Sequence, residues 1–227
     1  MPEKSNTGVY FLFLSILCTG LLYVVPYGYQ IGYPLILLST LAHEMGHGIA
    51  AMLIGGEFSR FCLYQDASGV AYTSTEPGLS AAIVSAGGLV GPAIVGAMFF
   101  AFAHKGKILF ASMGVFLLLA EVLVVRNTFG LAFVGVCTVL CFFLANRNTG
   151  LQQMAAYFVG IQLAMSVFSR GDYLFMEYAE TGAGKMPSDV AHIAEALWLP
   201  YWFWGGLCGL FSVFCVVWGI KRAIQNL

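Results

Sequence analysis

The sequence predicts an all-α polytopic membrane protein, with about six to seven transmembrane helices and one short β-hairpin after the second of them. Three observations carry this expectation. Of 227 residues, 59% are hydrophobic and 9% charged, whereas soluble domains carry roughly a quarter charged residues. Seven apolar runs approach the roughly 20 residues that a helix needs to cross hydrocarbon. One connector, residues 55–77, breaks from helical patterning into loose alternation around a turn signal.

In chain order, the first run covers residues 9–25. It follows a single lysine, Lys4, and lacks a small-residue cleavage site, so it is expected to remain as a membrane helix. The other runs are 31–54, 79–103, 108–125, 128–145, 151–168 and 200–220, joined mostly by short connectors such as Arg126-Asn127. In residues 55–77, Phe58, Cys62 and Tyr64 alternate with polar neighbours before Asp66-Ala67-Ser68-Gly69, and Val70 to Thr73 supply a returning strand. The second long connector, residues 169–199, ends in a helix N-terminus with Ser188 as its N-cap. Pro200 should kink or restart that helix. Gly87 and Gly91, like Gly205 and Gly209, sit four apart, where absent side chains let helices approach closely. No internal repeat is visible, and residues 1–227 read as a single domain.

Composition also excludes several classes. A net charge of −1 provides no field for a phosphate backbone, so no nucleic acid partner is expected. Five of the six cysteines lie in apolar runs without a C-x-x-C, as small buried hydrophobes that fix no redox compartment. If all seven runs cross, Lys and Arg divide five against five between the two sides, and orientation stays open.

The chemistry-bearing element is His43-Glu44-Met45-Gly46-His47, with no other charge from Ile31 to Gly56. Residues four apart share a helix face, so two imidazoles can hold one ion while the glutamate between them reaches a water on it. Four His and eight Glu in this chain would produce the pattern by chance about 0.002 times. Ionisable groups below the lipid surface also cost several kcal/mol unless they pair or ligate. Zn²⁺ is the natural occupant, being content with His and carboxylate ligands and one open position.

A third ligand must come from elsewhere, the candidates being Asp172, Asp189, His192, Glu195 and Glu121. Counting crossings puts residues 169–199 on the same side as the His47 end of its helix. His47 lies seven residues before Ile54, about 10 Å deep at the helical rise, so a re-entrant turn at Asp189 could reach it. Glu121 is expected instead to snorkel or pair near Arg126.

These residues resemble the site-2 protease metallopeptidases, in particular their small B-type branch. The resemblance runs in order through His43-Glu44-Met45-Gly46-His47-Gly48, Gly55-Gly56, Ser68-Gly69, Ser85-Ala86-Gly87-Gly88-Leu89-Val90-Gly91-Pro92, Arg126-Asn127, and Ser188-Asp189-Val190 through Leu199-Pro200 to Trp204. It implies an intramembrane zinc metalloprotease that cuts peptide bonds in or near transmembrane segments. Zn²⁺ would be held by His43, His47 and Asp189, with Asp172 in reserve, and Glu44 would be the catalytic base. The usual Asp-Gly ligand motif of better-studied site-2 proteases is absent, as is a PDZ-like insertion, so recruitment is expected to use an adaptor protein. The partners implied are a membrane-protein or peptide substrate and the lipid bilayer. The location is integral and multi-pass, in the cell membrane if the source is bacterial. A non-proteolytic metal-binding scaffold and a metal transporter are the alternatives.

Overall fold

The computed structural model describes residues 7–169, 174–181 and 184–226. Helices α1 (Thr7–Val24) and α2 (Gly28–Leu53) precede strands β1 (Glu57–Leu63) and β2 (Gly69–Ser74). Helix α3 (Leu79–Phe102) passes through a 3-10 turn (Ala103–Lys105) into α4 (Gly106–Leu123), then α5 (Thr128–Ala145) and α6 (Thr149–Ser169). A second hairpin, β3 (Tyr178–Thr181) and β4 (Gly184–Pro187), leads to the short α7 (Asp189–Leu197) and to α8 (Tyr201–Gln225).

The outer helices turn apolar side chains outward. Leu119 and Val122 on α4, Val136 and Val139 on α5, and Leu210 and Phe214 on α8 are all exposed, an inversion that water penalises and hydrocarbon does not. Leu79–Leu123 (α3, the turn and α4), Thr128–Ala145 and Tyr201–Gln225 are long and apolar enough to cross a membrane, and Gly8–Leu22 is a shorter apolar helix. Among the described residues the remaining long helices are less apolar, for a physical reason. Helix α2 carries His43, Glu44 and His47, and α6 carries Gln152, Gln153 and Gln162. Several of these polar groups point inward: Glu44, Gln152 and Gln162 are buried. The Gln152 amide donates to the carbonyls of Leu144, Ala145 and Arg147, closing the end of α5. The Gln162 amide donates to the Thr19 hydroxyl and ties α6 to α1.

Helices α2 and α3 meet backbone to backbone. A Cβ placed on Gly46 would lie 2.3 Å from the Gly87 carbonyl oxygen, and one on Gly91 would lie 2.6 Å from the Ala42 oxygen. Glycine is required here for close approach rather than for an unusual dihedral. The pairing of residue 46 with 87 and of 42 with 91 makes the two helices antiparallel. By contrast α1 lies along α6 in the same sense, with Phe11 beside Gly150 and Ser15 donating to the Met154 carbonyl at 3.3 Å. Strict alternation of crossings would oppose those two helices, so counting sides by crossing number works from α2 onward and not for α1.

The expected hairpin is present, with β1 and β2 antiparallel and an irregularity between Phe58 and Arg60. Tyr33 and Thr40 on α2 donate their hydroxyls to the carbonyls of Gln65 (2.6 Å) and Ala67 (2.7 Å), pinning the turn to the helix. The Ser68 hydroxyl and N–H both donate to Asp66 and hold its carboxyl below the usual carboxylate range. The outer edge of β1 is also covered. Phe61 N–H donates to Val124 and its carbonyl accepts from Arg126, while Asn127 bonds both backbone groups of Leu63. Arg126 turns its guanidinium back onto the carbonyls of Val122, Leu123 and Val125, closing α4.

Around Asp189 the sequence reading is borne out in part. Ser188 caps α7, accepting from Ala191 N–H at 3.2 Å. Trp198 ends that helix at φ 69°, and Pro200 restarts the chain as the N-cap of α8. The β3–β4 hairpin was not expected, because its four-residue strands are too short to show alternation.

Replacing Gly46 by alanine should force α2 and α3 apart at a contact that neither backbone can yield. A loss of about 1–3 kcal/mol, typical of overpacking, is expected as a lower midpoint of thermal unfolding in detergent. Gly20→Ala, at a position with nothing within 4 Å, is the control. Equal midpoints for wild type and Gly46→Ala would contradict the close packing.

Candidate metal centre

Helix α2 presents His43 and His47 one turn apart, their rings edge to face with centroids 4.7 Å apart. Their Nε2 atoms are separated by 3.1 Å. Asp189, the first residue of α7, brings Oδ2 to 3.0 Å from His43 Nε2 and Oδ1 to 3.4 Å from His47 Nε2. A tetrahedral ion with bonds of 2.0–2.1 Å has ligand-to-ligand edges of about 3.3 Å. The imidazole separation of 3.1 Å and the Asp189 separations of 3.0 and 3.4 Å, which run to different carboxylate oxygens, lie near that figure, and among the described residues this is the cluster whose geometry could hold an ion.

Two further observations test whether a metal fits. Asp189 is 9% exposed, and the groups its two oxygens face are the imidazole nitrogens of His43 and His47, an expensive setting for a buried carboxylate unless something cationic meets it. The Nδ1 of His47 lies 2.9 Å from the Val84 carbonyl oxygen. A carbonyl only accepts, so Nδ1 carries the proton and Nε2 turns a lone pair toward the cluster, the usual arrangement behind a metal-bound histidine.

The sequence places these groups through local devices. Gly88 on α3 makes room for His47, since a Cβ there would stand 2.2 Å from the imidazole. Val190 and Ile193, exposed by 0% and 2%, fix the rotation of α7 by packing into the protein beside Asp189. The Ser188 hydroxyl donates to the Met176 carbonyl and seats the start of that helix.

Glu44 is 7% exposed and turns toward the hairpin, where Oε2 accepts from Ala71 N–H at 2.7 Å. A Cβ on Gly69 would lie 2.7 Å from Glu44 Cγ, so only glycine lets β2 come this near. A cleft of about 700 Å³ opens onto the cluster, with Gly69, Ala71 and Thr73 of β2 on its wall together with Met186 and Pro187 of β4.

Of the residues singled out from sequence, His43, His47 and Asp189 come together, with Glu44 lining the same cleft. His192 and Glu195 line that cleft without joining the cluster. Glu121 lies elsewhere, on α4 against Gly135 of α5, and Asp172 lies outside the described residues. Sequence reasoning missed the Val84 carbonyl and the Ala71 N–H, backbone groups that carry no sequence signal. It also missed the role of Gly88, although the Gly87-Gly88 pair was in plain view.

Helices with apolar outer faces, around two half-buried imidazoles and a buried carboxylate that open to a cleft, define a membrane protein with a candidate metal centre. Residues 14–219 match the family model described as Peptidase M50B-like, and the chain belongs to this peptidase family. The match agrees with the resemblance to the B-type branch of the site-2 proteases. No curated protein and no solved structure matched the chain.

Removing either support of the cluster should show in metal content. Asp189→Ala is expected to lose zinc on dialysis that leaves the wild type loaded. Gly88→Ala, by displacing His47, should weaken zinc binding about 10- to 100-fold, the range for disturbed ligand support. Asp172→Ala should retain zinc. Elemental analysis of the purified proteins decides, and wild-type zinc in Asp189→Ala would overturn that ligand.

Proposed function

We propose that the protein is an intramembrane zinc metalloprotease, a multi-pass membrane protein that hydrolyses peptide bonds in or near the transmembrane segments of other membrane proteins. The observation that carries this reading is the meeting of Asp189 with both imidazoles, at 3.0 and 3.4 Å, from a helix 142 residues beyond His47. His43, His47 and Asp189 would hold the ion. Zinc with three protein ligands supplies a Lewis acid that lowers the pKa of water to about 7 and polarises a carbonyl.

The chain's own residues do the remaining work. Glu44 takes a proton from the attacking water as its oxygen bonds to the scissile carbonyl carbon. It returns that proton to the amide nitrogen as the C–N bond breaks, leaving a carboxyl and an amine. Its bond from Ala71 N–H holds the carboxylate in place and keeps its second oxygen available.

A transmembrane helix hides its carbonyls in intrahelical bonds and must unwind to be cut. The unwound strand then needs new partners, because lipid has none to offer. The inner edge of β2 is suited to supply them. Phe61, opposite Ala71 in the ladder, directs its backbone groups toward Val124 and Arg126 on the other side. Ala71, and by alternation Gly69 and Thr73, therefore turn their backbone groups toward the cleft. A substrate strand added there would lie beside Glu44 by β-augmentation.

Glu44→Gln tests the assignment directly, since glutamine keeps the shape and the Ala71 bond but cannot accept the proton. With zinc content unchanged, cleavage of membrane-helix peptides in detergent should fall by about 100- to 10,000-fold. Cleavage by Glu44→Gln at the wild-type rate would dispose of the proteolytic reading.

A further inference from the structure

The α7 helix offers the cleft more than Asp189. His192 lies three residues further on, so the two side chains share a face. The burial of Val190 and Ile193 fixes the rotation of the helix and with it the position of His192. Its side chain is exposed and lines the same cleft as His43, Glu44 and His47. Among the described residues, His43, His47, His104 and His192 are the imidazoles, and His104 sits in the 3-10 turn at the far end of α3.

Peptide hydrolysis places negative charge on the former carbonyl oxygen, and a hydrogen-bond donor aimed at that position lowers the barrier. The Ala71 N–H is already given to Glu44. Thr73 stands further along β2 and Thr75 just beyond its end, beside Gly56, whose Cβ would meet the Thr75 methyl at 2.5 Å. Ser85 adjoins Val84, behind His47. The donor mounted on the same rigid turn as Asp189 is His192. Resting on the proteolytic reading above, we infer that His192 is a catalytic residue, donating an imidazole N–H to the scissile carbonyl oxygen as charge develops there. Helix α7 then repeats the device of α2, where one helix face carries both the metal-holding groups and the group that serves the reacting atoms. The donor makes its bond to the charged oxygen and not to the resting carbonyl, so it acts on turnover more than on substrate affinity.

The test compares the zinc-loaded wild type, His192→Phe, His192→Gln and Glu44→Gln, on a cleavable membrane-helix peptide and on a phosphinic peptide that mimics the tetrahedral anion. For His192→Phe, kcat should fall about 100-fold, the effect of removing one such donor, with KM within about twofold and zinc content unchanged. Affinity for the phosphinic peptide should fall by a similar factor, and His192→Gln, which keeps an N–H donor, should recover part of both. Wild-type kcat and phosphinic affinity in His192→Phe, with Glu44→Gln inactive, would overturn this role and leave an exposed surface histidine. Loss of zinc in His192→Phe would also overturn it, by assigning His192 to holding the ion. Full activity of Glu44→Gln would instead remove the proteolytic reading on which the inference rests.

Discussion

The arrangement depends on one electrostatic constraint: His43, His47 and Asp189 sit among helices, largely withdrawn from water and open to it only through the cleft. Desolvation would make each group costly by itself. Drawn together at 3.0 to 3.4 Å, with the His47 ring oriented by Val84, they become a site that invites a cation. The remaining architecture serves that meeting. Helix α3 supplies both the Val84 carbonyl and the space at Gly88, and it also packs against α2, α7 and α8, the elements that carry or buttress the cluster.

The glycines of α2 and α3 show how packing and chemistry share residues. Gly46 stands between the paired histidines in sequence and touches the Gly87 carbonyl across the interface. A side chain there would widen the gap and move both imidazoles away from the carboxylate. In lipid, where helix association has no hydrophobic drive of its own, such close backbone contact is a principal source of cohesion. The same small residues thus hold the helices together and set the depth at which His47 meets Asp189.

Much of this was legible in the sequence, and the parts that were not have physical reasons. The His43-Glu44-x-x-His47 spacing announced its chemistry because an α-helix converts a separation of four into one face. The first hairpin was visible through its turn, and the capped start of α7 through Ser188. Identifying Asp189 was harder, since no local pattern joins it to residues 142 positions earlier. Resemblance to a family pointed to it, and the geometry brings it there. The number of spans is harder to read, because α2 and α6 trade apolar residues for inward polar ones. The bond from Ala71 N–H to Glu44 could not be read at all, because any residue but proline offers the same group at that position.

The late arrival of Asp189 bears on how the protein is made. Both histidines emerge from the ribosome well before the carboxylate, which follows His47 by 142 residues. A nascent chain still lacking α7 has a pair of imidazoles without their carboxylate, and truncation anywhere before Ser188 leaves the same incomplete cluster. The cluster thereby closes only once α7 has left the ribosome, whatever has been folded before it.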